Sequence, residues 1–276
     1  HAVNGDDTSV FDATDWLTLT YDINNFALTA GKHDLLIGSW EHDTYDLDNY
    51  TDITSFFTQR VNSSQWGIKA EWSNKLDNTT LALQVSNSPF SYAPKQANLY
   101  SYAVAWLGSF SHYESFWTLN MWEFAPGYFL KSIAIGNKFN IGNISLTLDY
   151  MMRGTKLNQI TEDITLTALP SYTLGEKVRL FGKIGWEKCS DNLTYDFLGE
   201  YTSLSDKIEA NSINIYTIPA YIIGEKDYLF YGAGIEYYPL RDNKNVRLHA
   251  VWASNNYTSR HTINVGITWR LDIMRI

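Results

Sequence analysis

At 276 residues, with 45% hydrophobic and 15% aromatic residues and a mean hydropathy of -0.26, the chain has the totals of an ordinary soluble protein, long enough for one large domain or two small ones. Its formal charge of -9, from 21 Lys+Arg against 30 Asp+Glu, argues against nucleic acid as a partner, because phosphate binding asks for a basic surface. No run of about 18 apolar residues occurs, which excludes a transmembrane helix. The 10 Trp and 19 Tyr fit a membrane β-barrel, which needs apolar residues only at alternate positions and gathers aromatics at its two interfaces. A soluble β-sandwich could share this composition, so the pattern along the chain has to decide.

The chain opens at His1, and nothing before Asp15 has the charged start and apolar middle of a secretion signal. A protein bound for the outer membrane needs one, so the sequence reads as mature or truncated. From there an alternation of period two runs to the end. Leu17, Leu19 and Tyr21 oppose Thr18, Thr20 and Asp22; Trp66, Ile68, Ala70 and Trp72 oppose Gln65, Gly67, Lys69 and Glu71. Ile144, Leu146, Leu148 and Tyr150 oppose Ser145, Thr147 and Asp149, and Leu229, Tyr231, Ala233, Ile235 and Tyr237 oppose Gly232, Gly234 and Glu236. The last segment is the cleanest, with Ile263, Val265, Ile267, Trp269, Leu271 and Ile273 on one face and Thr262, Asn264, Gly266, Thr268, Arg270 and Asp272 on the other. Successive side chains on a strand point to opposite faces, so each of these segments has one greasy and one wet face. Helical spacing is not convincing anywhere, and the chain reads as all-β.

Thirteen strands are predicted, starting near Trp16, Phe26, Gln65, Thr79, Ala97, Tyr113, Phe129, Ile144, Ile164, Val178, Tyr228, Val246 and His261. Many run roughly nine to thirteen residues, against about 5–6 in soluble sheets, and match a tilted bilayer crossing. Tight turns fall at Asn24-Asn25, Ser73–Asn78, Ser109–His112, Asn140–Asn143, Gly175–Lys177 and Pro239–Asn245. Longer links lie between them at Gly38–Ser64, Ser86–Gln96, Gly154–Asp163, Cys189–Asp227 and Ser254–Arg260. Short periplasmic turns and long extracellular loops are the mark of an outer-membrane barrel, whereas a sandwich has no reason to sort its loops this way. The expected fold is a transmembrane antiparallel β-barrel forming one domain over residues 1–276. Counting back from a last strand that ends in the periplasm, residues 1–14 would begin outside the cell, so an odd number of strands should precede His1. Three missing strands and a parent barrel of sixteen are expected. The alternative is a fourteenth strand at Ile213–Ile223, which would put a long loop in the periplasm.

Several stretches then resemble the phosphate-selective porin O/P family in its Bacteroidetes form: Ala13-Thr14-Asp15-Trp16-Leu17, Thr29-Ala30-Gly31-Lys32, Gly38-Ser39-Trp40-Glu41 and Asn87-Ser88-Pro89-Phe90. Ala134-Ile135-Gly136-Asn137-Lys138-Phe139, Leu148-Asp149-Tyr150-Met151 and Gly232-Ala233-Gly234-Ile235-Glu236-Tyr237 extend the likeness from about Phe11 to the end. The resemblance implies a sixteen-stranded, usually trimeric porin. Two departures stand out. The chain ends Met274-Arg275-Ile276 rather than on an aromatic residue, and no ladder of arginines and lysines can be placed residue by residue, so phosphate is not assigned as the solute.

The link Gly38–Ser64 is the richest in chemistry. It sets Glu41, Asp43, Asp46, Asp48 and Asp52 against Arg60, with Trp40, Tyr45, Tyr50, Phe56 and Phe57 interleaved. Folded into a lumen, such a loop would constrict it, and its carboxylates would favour cations over anions. The alternatives are a solvated external loop, acidic for solubility, and a calcium site at Asp46, Asp48 and Asp52. On the wet faces lie Lys69, Glu71, Asp149, Arg153, Arg179, Lys183, Glu187, Glu236, Arg247, His249 and Arg270. Charge facing lipid at mid-depth costs several kcal/mol, so these side chains are expected to face the lumen, either as a transverse field across the pore or as pairs along its wall.

The six histidines are scattered and no Gly-x-Ser-x-Gly, His-Glu-x-x-His or phosphate loop occurs, so no enzyme, metal or cofactor is expected. Cys189 is the lone cysteine and cannot form an internal disulfide. Two functions follow: a porin for small polar solutes or ions, or a barrel plugged by its own loops that serves as an accessory subunit. The apolar stretch within Cys189–Asp227 speaks for the second. The implied partners are the lipid bilayer and lipopolysaccharide, with a homotrimer or other outer-membrane proteins beside it.

Overall fold

The computed structural model describes residues 14, 16–43, 46–50, 52–90, 99–125, 127–161, 163–188, 227–240, 244–256 and 261–270. Tyr45, Cys189, the stretch 213–223 and the final six residues lie outside them. Thirteen strands form: β1 (Leu17–Ile23), β2 (Phe26–Asp34), β3 (Ser64–Ser73), β4 (Thr79–Asn87), β5 (Tyr100–Phe110), β6 (Tyr113–Ala125), β7 (Tyr128–Ile141), β8 (Ile144–Gly154), β9 (Asp163–Leu174), β10 (Val178–Lys188), β11 (Tyr228–Tyr237), β12 (Val246–Asn255) and β13 (His261–Trp269). They make one antiparallel sheet in which every strand pairs with the next in sequence. Among the described residues β1 and β13 are its two edges, so the sheet is a barrel wall that does not close.

The strand starts agree with the alternation in the sequence to within a residue, except that β5 begins at Tyr100. Asn24 turns the chain between β1 and β2 with φ 51, and Gly142 does so between β7 and β8 with φ 58, the left-handed backbone that tight hairpins require. One connection breaks the short–long alternation. The link from β6 to β7 spans only 126–127, on the side where the other links are long.

The two faces separate as the period-two pattern predicts. Leu19, Leu83, Leu119, Ile184, Ile235, Ile263 and Val265 are among the large apolar side chains exposed on the outer face. A water-soluble protein would not leave such a continuous belt bare, whereas hydrocarbon requires it. Aromatics border the belt at both strand ends. Trp72, Phe110, Tyr113, Phe139, Tyr172, Tyr237 and Trp269 sit beside the tight turns, and Tyr100, Tyr102, Trp186 and Trp252 towards the long links. One polar cluster of this face is internally matched: Tyr113 Oη and Trp117 Nε1 both donate to Asn137 Oδ1, at 2.7 and 3.2 Å.

Between β2 and β3 the chain forms three short helices, α1 (Trp40–Asp43), α2 (Leu47–Tyr50) and α3 (Phe56–Arg60). At four to five residues each they are too short to leave a 3.6-residue period in the sequence, which is why the pattern shows none.

Candidate functional site

The segment 35–63 leaves β2 at Asp34 and returns at Ser64, and its described residues lie against the inner wall in between. Their partners are inward-facing residues of β4, β6, β8, β10, β11, β12 and β13, which places the segment within the curve of the sheet. Its path begins at β4 and β6. Leu36 N donates to Gln84 Oε1 at 2.8 Å, and Thr118 Oγ1 and Asn120 Nδ2 donate to the carbonyl of Ile37. Gly38, at φ +84, presses so closely on Thr118 that a Cβ there would sit 2.2 Å from its hydroxyl oxygen. A side chain at this position would lift the segment from the wall.

The helices are then held by carboxylates of the wall. Asp149 on β8 accepts hydrogen bonds from Trp40 N and Glu41 N, both at 2.9 Å. Glu187 on β10 accepts from Phe56 N at 2.9 Å and Phe57 N at 3.4 Å. The first amides of a helix have no partner within it, so each carboxylate caps a helix that could not stand alone. Ser55 adds a local cap, its hydroxyl accepting from Thr58 N at 3.2 Å.

Two ion-pair clusters complete the hold. In the first, Lys183 Nζ lies 2.8 Å from Glu41 Oε1, and Arg153 lies 3.1 Å from Glu187, with all four side chains essentially inaccessible. Burial pushes the Glu41 carboxyl up, but Lys183 and the Ser55 hydroxyl and amide outweigh it and leave the group below the usual carboxylate range. In the second, Arg247 on β12 donates to Asp46, to Asp48 at 2.8 Å, to Glu236 at 3.0 Å and to Thr268 at 3.1 Å. Arg179 also pairs with Glu236 at 3.0 Å, and Asn49 Nδ2 donates to the same carboxylate at 2.6 Å. A calcium ion would have to displace Arg247 from Asp46 and Asp48.

Apolar contacts fill the space between. Ile53 occupies a notch left by Gly232, where a Cβ would lie 2.7 Å from its Cγ2, and Trp40 occupies one left by Gly136. Phe57 stacks on Trp122 with ring centroids 5.5 Å apart, and Tyr50 meets Phe181 edge-on at 5.4 Å.

Of the charged residues singled out in the sequence, Glu41, Asp46, Asp48, Asp149, Arg153, Arg179, Lys183, Glu187, Glu236 and Arg247 therefore meet at one segment–wall contact. Asp43 and Asp52 stay exposed, Asp52 accepting from Thr262 Oγ1 at 2.9 Å. Lys69 and Glu71 pair with each other at 2.9 Å on β3, away from the segment. His249 is buried on β12, Arg270 is exposed just beyond β13, and the Arg60 side chain lies outside the described residues. Sequence reasoning passed over the neutral groups Gln84, Thr118, Asn120, Ser55, Asn49 and Thr268. Only Ser55, ahead of Phe56 with Thr58 three residues on, carries a local signal, that of a helix cap. It also passed over the inward pair Lys138–Glu114, 3.0 Å apart.

No protein-family model matches the chain, and no curated protein does. Solved structures share its fold. The outer membrane channel DcaP of Acinetobacter baumannii aligns with TM-score 0.55 and 8% identity over 91% of this chain and 71% of that one. A loop-deletion mutant of OmpT, an outer membrane protein of Vibrio cholerae, aligns with TM-score 0.58 and 9% identity over 91% and 78%. An anion-selective porin from Comamonas acidovorans aligns with TM-score 0.53 and 10% identity over 91% and 71%.

Proposed function

We propose that the chain is the wall of an outer-membrane channel for the passive diffusion of small polar solutes or ions, narrowed by residues 35–63. The observation that carries this reading is the position of the segment. It is pinned to inward-facing groups from β4 to β13, while the outer face of the same strands offers an apolar belt to lipid. A segment on the inner wall of a barrel reduces its cross-section, and the charges it leaves exposed bias what passes. Glu41 is paired with Lys183, whereas Asp46 and Asp48 share Arg247 with Glu236, so the bias falls to the exposed Asp43 and Asp52 together with the outward side of Asp48 and favours cations and neutral solutes. The same reading takes in the likeness to the phosphate-selective porin O/P family, a trimeric assembly, and bilayer and lipopolysaccharide as surroundings; its support is the order and spacing of the motifs quoted above.

Planar-bilayer recording of the intact protein in a potassium chloride gradient tests it. Discrete open steps with a cation-selective reversal potential are expected, and Asp43→Asn with Asp52→Asn should weaken that preference. Anion preference in the unaltered protein would overturn the role given to these carboxylates. Absence of steps would overturn the channel and leave a plugged accessory subunit.

A further inference from the structure

The outer face is not smooth. A groove of about 410 Å³ crosses β7 to β11 on the side of the apolar belt. Tyr150, Leu166 and Trp186 line it in one cross-strand row, and Leu148 and Ile184 in the next row towards the tight turns. Between Leu148 and Ile184 stands Ala168, whose single methyl leaves the space open. Hydrocarbon chains are the natural filling for such a hollow on a membrane-facing wall.

Positive charge stands above this groove, on the side of the long links. Lys188 is exposed on the outer face of β10, one row beyond Trp186 and opposite Ile164. Lys131 faces outward on β7, two rows beyond Ile135, which lines the same groove. At the rise of a strand the two lie roughly 7 and 13 Å above the groove's upper row. Three strand spacings separate them, roughly 14 Å. Lys131 leans across this gap, its Nζ donating at 2.8 Å to the carbonyl of Thr155 past the end of β8, a neutral acceptor that leaves the charge in place. Neither lysine forms an ion pair among the described residues. The carboxylates of this rim are placed otherwise. Glu123 on β6 accepts from Tyr100 N at 3.0 Å and Gly127 N at 2.7 Å, Asp163 is buried on the inner face, and Asp227 is exposed ahead of β11. Lys156, exposed just past β8, brings further positive charge to the same rim.

We propose that β7–β11 hold one anionic lipid on the outer face, its phosphate between Lys131 and Lys188 and an acyl chain in the groove over Ala168. Two four-carbon stems and a phosphate span the gap between the strands. The ammonium groups donate charge-assisted hydrogen bonds to the phosphate oxygens, while their stems lie along the apolar wall. A second copy of the barrel would bring its own apolar belt to this height and leave both charges unmet. A lipid meets the charge and fills the hollow together. The inference deepens the reading of the outer face as the surface that meets the membrane, and it rests on that reading.

Native mass spectrometry of the intact protein in detergent micelles tests the site without measuring conductance. The titrants are phosphatidylglycerol and phosphatidylcholine with the same chains. One phosphatidylglycerol should be retained roughly tenfold more tightly than phosphatidylcholine. Lys131→Gln and Lys188→Gln should each weaken its binding about fivefold, the effect of one cation beside an anionic headgroup. Lys75→Gln removes the same charge at the turn after β3 and should change nothing. Ala168→Phe fills the groove, keeps both lysines and should weaken both lipids alike. Circular dichroism of the strands reports that each variant is folded. Equal retention of the two lipids, or phosphatidylglycerol binding that survives the double substitution of Lys131 and Lys188, overturns the site. A photoreactive maleimide on Ala168→Cys, made in Cys189→Ser, that cross-links to another barrel in the membrane would place a second copy over the groove and overturn it as well. Bilayer recording of the same samples separates the two readings. A silent protein that still selects phosphatidylglycerol overturns the channel alone, and a conducting protein that does not select it overturns the lipid site alone.

Discussion

The inner face of β8–β12 and that of β1 with the turn end of β3 come from the same alternation of polar and apolar residues, yet one is dry and the other wet. Arg153, Lys183, Glu187 and Glu236 are buried beneath the segment, each with a charged partner. Thr18, Thr20 and Asp22 on β1 are exposed, and Lys69 and Glu71 keep about a quarter of their side chains in contact with water. A charge on the bare wall can be solvated where it stands. A charge under the segment has lost water and must be paired, because an unpaired buried ion costs several kcal/mol. The difference teaches that facing the lumen does not by itself make a charge part of a pore field. On the covered wall, charges act as anchors.

The largest test of this contrast is Lys183→Met. It strands the buried Glu41 and should cost about 3–5 kcal/mol in denaturant unfolding of the micelle-bound protein. Adding Glu41→Gln should restore most of the loss, because a neutral pair no longer needs the cation. The wild-type anchor should also resist mild acid. With its folded carboxyl below the usual range, Glu41 contributes stability that is present above its unfolded value and lost only as the pH falls through the lowered one. A pH titration of unfolding in wild type and Glu41→Gln would show the difference at the acid end.

Next in size is Gly232→Val, whose Cβ would lie 2.5 Å from the Trp252 carbonyl oxygen of the wall and 2.7 Å from Ile53 Cγ2 of the segment. Overpacking there should cost about 1–3 kcal/mol and, if the segment yields rather than the wall, raise single-channel conductance. Asp149→Asn should follow at about 1 kcal/mol, the usual worth of a helix cap, with increased exchange of the Trp40 and Glu41 amides and unchanged exchange in β8. Smallest is Lys69→Met on the bare wall, where an exposed pair is worth under about 1 kcal/mol. Its effect should appear in the reversal potential instead, shifted towards cations by the released Glu71. A stability loss there as large as that of Lys183→Met would erase the distinction between the two walls.

Much of this architecture is legible in the sequence. A strict period of two states which residues share a face, as in Trp66, Ile68, Ala70 and Trp72 against Gln65, Lys69 and Glu71. Turn residues with left-handed backbone mark where strands reverse, so thirteen strand starts fell out within a few positions. That determination is local, set by the pleat and by hairpin sterics. Which charge meets which is not local. Glu41 finds Lys183 and Asp46 finds Arg247 across more than a hundred residues, and nothing in the alternation ranks these partners above others on the same face. The helices of the segment are similar: Asp149 caps α1, and Glu187 adds to the local Ser55 cap of α3, from strands that no window of the segment's own residues contains. The sequence by itself determined the strands and the chemistry of each face. Only the tertiary structure decided that residues 35–63 turn inward and spend most of their carboxylates on the wall, because ion pairing and capping depend on distances that the curvature of the sheet creates.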